Sequence, residues 1–217
     1  MNYCLIKVYM SNSTIDDILK RLQALQKELE SEIDQLLLEK RELFNYTLEK
    51  GKVKFEQGIK ALQRHQKQGV WSYLFSARLG HLLTAPFIYS VFFAFIFLDL
   101  MVTVYQLFAF RVYGIPRVSR SEYIVIDRHE LAYLNIIQKI NCVYCGYGNG
   151  LLEYVREIAA RTEQYWCPVK HARRSKDPHQ YVQQFLGYGD ADNFNLRFKK
   201  IRENIVDIKN QGPSDDS

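Results

Sequence analysis

The chain has 217 residues, 47% of them hydrophobic, and carries 29 basic against 24 acidic side chains for a net charge of +5. The charge is evenly spread, with 13 basic and 10 acidic residues in 1–81 and 16 and 13 in 111–217, which excludes the clustered basic face of a nucleic-acid-binding module. Four cysteines are too few for a secreted disulfide framework in a chain of this length and indicate a reducing compartment.

Met1 to Met10 is mildly apolar but lacks the basic leader and small-residue cleavage site of a signal peptide. From Thr14 to Gln68 there is no proline, and Ile15, Ile18, Leu22, Leu25 and Leu29 step by three and four, the seam of a coiled coil. Ser13-Thr14 before Asp16-Asp17 suits a helix start. The phase then slips through Ile33, Leu36 or Leu37, and Leu43. Two arrangements follow: a coil that pairs with a second copy or a protein partner, or an antiparallel hairpin broken near Gly51 or Gly58. The glycosylation sequon Asn45-Tyr46-Thr47 is discounted because it falls inside this coil.

Between Leu82 and Phe110 the only charge is Asp99. About 20 apolar residues suffice for a helix to cross the hydrocarbon core, so a transmembrane or re-entrant segment is expected over 71–113. Trp71, Tyr73, Tyr105 and Tyr113 near its ends suit the interfacial aromatic belts. Asp99 must then face protein or a polar cavity, since a carboxylate at mid-bilayer costs about 2.5–3.5 kcal/mol. Alternatively it marks the polar tip of a shallow hairpin, although no glycine or proline stands beside it to make the turn. Basic residues flank both ends, so orientation rests on the cysteines, which favour a cytoplasmic C-terminal part.

Tyr113-Gly114-Ile115-Pro116 reads as a turn, Tyr123 to Ile126 as a short strand, and 128–140 as a helix capped by Asp127. A glycine-rich turn at 146–150 separates it from a second helix over 151–165. Asp177-Pro178 restarts a helical stretch that Gly187 and Gly189 end, and 194–208 forms a basic amphipathic helix.

The main chemical signal is Cys142-Val143-Tyr144-Cys145 followed by Cys167-Pro168-Val169-Lys170-His171. Paired ligands on either side of a folded spacer suit a four-coordinate metal. Cys167-Pro168 reads as a helix start, with His171 one turn on and on the same face. Zinc held by Cys142, Cys145, Cys167 and His171 is the expected species. The same residues suit an iron–sulfur cluster, a redox dithiol without its usual βαβ context, or buried cysteines of a helical core. Glu153 and Glu157, with Asp127 and His129 upstream, are the candidates for a general base, against the plainer reading of a solvated, salt-bridged helix face. Lys170 to Lys176 is a basic run that reads as a solvated helix end, or alternatively as a patch that meets anionic headgroups.

The strings Tyr113-Gly114-Ile115-Pro116, Tyr144-Cys145-Gly146-Tyr147-Gly148-Asn149-Gly150 and Arg161 to Arg174 (RTEQYWCPVKHARR) resemble an uncharacterised family of bacterial membrane-associated proteins over about 86–190. The resemblance implies location at the bacterial inner membrane and carries no activity. The expected architecture is mainly α: a coiled-coil-like region 1–70, a membrane segment 71–113, a helical Cys3His domain 114–210 and a disordered tail 211–217. Its expected role is a zinc-tied interaction or scaffold module at the membrane. The alternatives are a metalloenzyme acting on a membrane-associated substrate and a redox or iron–sulfur protein.

Overall fold

The computed structural model describes residues 2–207 apart from 45, 50, 51, 56, 57, 174 and 193, with the side chains of 2–17, 19, 20, 23, 49, 52 and 207 outside the description. The expected tail 211–217 and Asn45 of the sequon therefore lie outside the described residues. The described chain is mainly helical and divides into two compact units, Met1–Leu62 and Gln63–Ser217.

In the first unit, helix α1 runs over Asn2–Leu43. The expected helical coil does not continue to residue 68. Strands β1 (Tyr46–Glu49) and β2 (Lys52–Phe55) follow as an antiparallel hairpin, with Tyr46 opposite Phe55, Thr47 opposite Lys54 and Leu48 opposite Val53. Apolar residues (Tyr46 and Leu48, Val53 and Phe55) alternate with polar ones in both strands, a period-two pattern. It overrides the helical reading, and the Tyr46 and Phe55 rings meet across the strands at 5.8 Å. Gly58, at φ +92°, precedes helix α2 (Ile59–His65), within which the division between units falls.

The second unit opens with α3 (Val70–Ser76) and, after extended Ala77 and Arg78, α4 (Leu79–Tyr105). A wide π-turn over Gln106–Phe110 and the short α5 (Arg111–Tyr113) prolong it. Among the described residues Leu79–Tyr113 is the one helix long and apolar enough to cross a membrane. The π-turn inserts one extra residue into the helical repeat and so re-aims the side chains that follow. Gln106 and Phe110 are both buried there. Gly114 takes the left-handed conformation, φ +73°, that ends a helix without a Cβ clash.

The expected strand at 123–126 does not form. Residues Arg120–Tyr123 make a single helical turn, α6, and an irregular stretch leads to a 3-10 turn at Arg128–Glu130. The helix expected over 128–140 starts later, at Ile136. Asn135 caps it, accepting from the Gln138 amide at 3.0 Å while the Gln138 side chain accepts from the Asn135 amide at 2.9 Å. This helix, α7, runs unbroken over Ile136–Trp166.

The expected break at Gly146–Gly150 is absent, for a packing reason. Each glycine in a helix interior costs about 1 kcal/mol relative to alanine, and here close contacts offset that cost. A Cβ on Gly148 would stand 2.7 Å from the Phe95 ring, and one on Gly150 would stand 2.5 Å from the Tyr123 carbonyl. Gly146 and Gly150 are one turn apart on one face, with Gly148 about 200° around the axis. α7 is therefore sandwiched, with α4 against one face and the 123–128 stretch against the other.

At its far end α7 stops at Cys167, its C-terminal cap, since Pro168 cannot continue a helix. This corrects the expectation that Cys167-Pro168 starts one. The chain instead runs extended, and Val169 bridges Leu186 through hydrogen bonds of 2.8 and 2.9 Å. A 3-10 turn (Gln180–Gln184) stands where a helix was expected from 177, and α8 (Phe194–Asp207) closes the unit. The core joins Phe110, Ile115, Val118, Leu151, Tyr154, Ile158 and Ile205.

Candidate functional site

Helices α4 and α7 run side by side in the same direction. Phe92 packs on Tyr144 and Tyr147, Phe95 approaches Gly148, and Tyr113 stacks on Tyr165. This pairing determines what surrounds Asp99. Arg120, the first residue of α6, donates to both carboxylate oxygens, Nε to Oδ1 at 3.3 Å and Nη2 to Oδ2 at 2.7 Å. Tyr147 donates its hydroxyl to Oδ2 at 2.9 Å, and Thr103, one turn along α4, reaches Oδ1 at 3.4 Å. Arg120 is brought there by a second polar clamp. The buried Gln106 side chain accepts from the Val118 amide at 2.6 Å and donates to the Val118 carbonyl at 3.2 Å and the Tyr154 hydroxyl at 3.0 Å.

A carboxylate offers about four lone-pair sites, and Asp99 has four donors. Its charge is cancelled by one guanidinium, which also sits 5.9 Å from the Tyr147 ring. The Asp99 side chain is 14% exposed while that of Arg120 is 48% exposed. The hydrogen bond from Arg120 to Asp99 raises the guanidinium above its ordinary value. Burial first, and then the bond to Asp99, raises the Tyr147 phenol. Both groups are thereby held as donors, and Asp99 keeps no open position for a substrate proton or a metal. It is a clamp that lets a charged residue stand on an apolar helix.

The expected metal ligands are not brought together. Cys142 and Cys145 lie in the first half of α7, half-buried and exposed, and Cys167 is exposed at its end. The 22 residue steps from Cys145 to Cys167 along α7 span about 33 Å. His171 follows in the extended stretch beyond. Among the described residues no three His, Cys, Asp or Glu side chains converge as metal ligands would. The four residues do not fit a single four-coordinate zinc or cluster site within one chain.

The candidate bases are also engaged or remote. Glu157 accepts from Arg161 Nε at 2.7 Å and from the Tyr181 hydroxyl at 2.5 Å. Arg161 in turn donates to the Pro116 carbonyl at 2.7 Å. Burial and the Glu157 bond push the Tyr181 phenol up to about 12. Glu153 is solvated, 3.7 Å from Arg156, and about 12 Å of helix rise separates it from Cys145. Glu163 pairs with His179 at 2.9 Å and Arg156 with Asp177 at 2.9 Å. Together these contacts fasten the strap 177–181 across α7.

The most extensive open feature is the outer face of α4. Leu83, Phe87, Phe97 and Met101 are exposed along it, on the side of the helix opposite Phe92, Phe95 and Asp99. An apolar groove of about 530 Å³ opens beside its N-terminal half, lined by Tyr73, Leu82, Ile88, Tyr89, Asn141 and Cys145, among others. Tyr89 donates to the Asn141 side chain in its wall. Sequence reasoning missed Arg120, Tyr147, Thr103 and Gln106. An acid on an apolar helix demands a cation, but Arg111, Arg117 and Arg120 qualified equally. No family model matches the chain, and neither a curated protein nor a solved structure matches it.

Proposed function

We propose that the chain is a membrane-attached protein that enters the bilayer from one side, sinking the outer face of α4 into one leaflet and holding the helical region 114–207 at the surface as an interaction module. The order of layers around α7 carries this reading. In front lies α4, whose outward Phe87 and Phe97 are 76% and 64% exposed. An uninterrupted apolar face of this length is a membrane or protein contact rather than ordinary surface. Behind α7 runs the stretch 120–135, irregular from Ile124 onward apart from one 3-10 turn, with Glu122, Asp127, Arg128, His129 and Glu130 on it.

That stretch packs on Gly150 through Tyr123 and Ile124 and on Gly146 through Val125, at the level where α4 passes Phe92 and Phe95. If α4 stood upright across the bilayer, irregular backbone and several charges would share its mid-depth. Lipid-exposed irregular backbone does not occur in hydrocarbon, where each unsatisfied polar group costs several kcal/mol. Lying along the interface, α4 meets lipid while the charged stretch stays in water behind α7. The paired state of Asp99 fits this, because Arg120 reaches out from behind α4 to neutralise it.

Vesicle flotation tests the attachment. Purified protein should float with zwitterionic phospholipid vesicles and stay bound at high salt. The double variant Phe87→Lys/Phe97→Lys should bind at least tenfold more weakly, since each buried lysine costs up to about 2.5–3.5 kcal/mol on insertion scales, while its unfolding transition is unchanged. A folded wild-type chain that remains with the aqueous fraction would overturn the reading.

A further inference from the structure

Outside that site, α1 carries the largest feature left without a role. Ile18, Leu22, Leu25, Leu29, Ile33 and Leu36 form one stripe along it, and each is between 50% and 57% exposed. Six large apolar side chains in a row, all half in water, are the uncovered half of a helix pair.

Two properties of the stripe identify what covers it. The first is its symmetry about residue 27. Ile18 and Leu36 are equidistant from that position, as are Leu25 and Leu29, while Leu22 and Ile33 match to within one residue. Turned end for end, the stripe meets itself layer by layer. The second is charge. Of the basic positions nearby, 20 and 27 fall on the far face of the helix, whereas Arg21 and Glu32 flank the stripe on one side. Antiparallel pairing about residue 27 brings Arg21 against the partner's Glu32, twice over by the two-fold symmetry of such an interface. Parallel pairing brings neither residue opposite a charge of the other sign.

We infer that α1 docks antiparallel on α1 of a second copy of this chain, crossing near residue 27. The steps between apolar positions, four-three-four-four-three, average more than 3.5. A stripe with such a period winds little or slightly right-handed instead of forming the left-handed supercoil of strict heptads. The pairing is independent of how the chain meets the membrane.

Disulfide trapping in the full-length, detergent-solubilised protein tests it, with the four native cysteines replaced by serine. An Ile18→Cys chain mixed with a Leu36→Cys chain should form mixed disulfide dimers, at least tenfold in excess of those each variant forms alone. Light scattering should give a dimer for the parent chain. Arg21→Glu should weaken that dimer tenfold or more, and Glu32→Arg on the same chain should restore it. Circular dichroism reports whether α1 stays helical in each variant, and the charge-swap pair leaves the apolar layers intact. Self-trapping of Ile18→Cys and of Leu36→Cys, as in a parallel pair, would overturn the inference. So would a parent chain that stays monomeric at every concentration.

Discussion

Asp99 shows how a residue that looks functional can be wholly occupied by structure. A lone carboxylate on an apolar helix suggests ion or proton chemistry, but two bonds from Arg120, one from Tyr147 and one from Thr103 fill its oxygens. Replacing Asp99 with Asn should cost about 1–3 kcal/mol in denaturant unfolding, as expected for a hydrogen-bonded charge whose partners are left behind, with the lower end favoured because Arg120 is half-exposed. A cycle with Arg120→Gln should show coupling between the two sites; simple additivity would mean the pair contributes nothing. Tyr181 gives a pH-dependent counterpart. Its phenol ionises near 10 when unfolded and is pushed up to about 12 in the fold. The protonated form is the one the fold favours, so this contribution to stability is fully present below pH 10 and is lost as pH rises toward 12. A spectroscopic titration should show a phenol ionising near 12 that Tyr181→Phe removes. Ionisation of Tyr181 together with the exposed tyrosines would contradict the Glu157–Tyr181 bond.

At the scale of elements, the apolar helix was legible because nearly thirty residues with one charge leave little alternative. The closing helix α8 was legible for a related reason, its clear amphipathic period. α7 was not. Three glycines in five residues read as a turn by local propensity, yet at Gly148 and Gly150 the Phe95 ring and the Tyr123 carbonyl come too close for a side chain. That reason lies in residues fifty positions upstream and about thirty positions upstream, beyond the reach of local pattern. The same misreading let the Cys142–Cys145 and Cys167–His171 pairs be read as ligands on either side of a folded spacer, when one continuous α7 holds them far apart. The 46–55 hairpin was hidden differently, by following a long helix with no proline to mark the change. Gly150→Ala should therefore destabilise the protein by about 1–3 kcal/mol, the usual cost of overpacking. Gly80→Ala, which meets nothing within 4 Å, should be neutral or slightly stabilising. Equal effects at the two positions in thermal unfolding would refute the sandwiched packing of α7.

At the scale of the molecule, three layers in the second unit sort polarity by depth: the outer face of α4, the glycine-lined α7, and the charged stretch behind it. The length and composition of α4 alone permit a crossing. Its neighbours argue against one, because irregular charged backbone lies at the same level. Sidedness is the direct test. In a chain whose other cysteines are serine, Gln68→Cys reports the start of α3 and α4, and native Cys167, exposed at the end of α7, reports the opposite end. Both should react with a membrane-impermeant maleimide from the same side of sealed vesicles, and to the same extent. Labelling of the two positions from opposite sides would establish a spanning helix and contradict one-sided insertion.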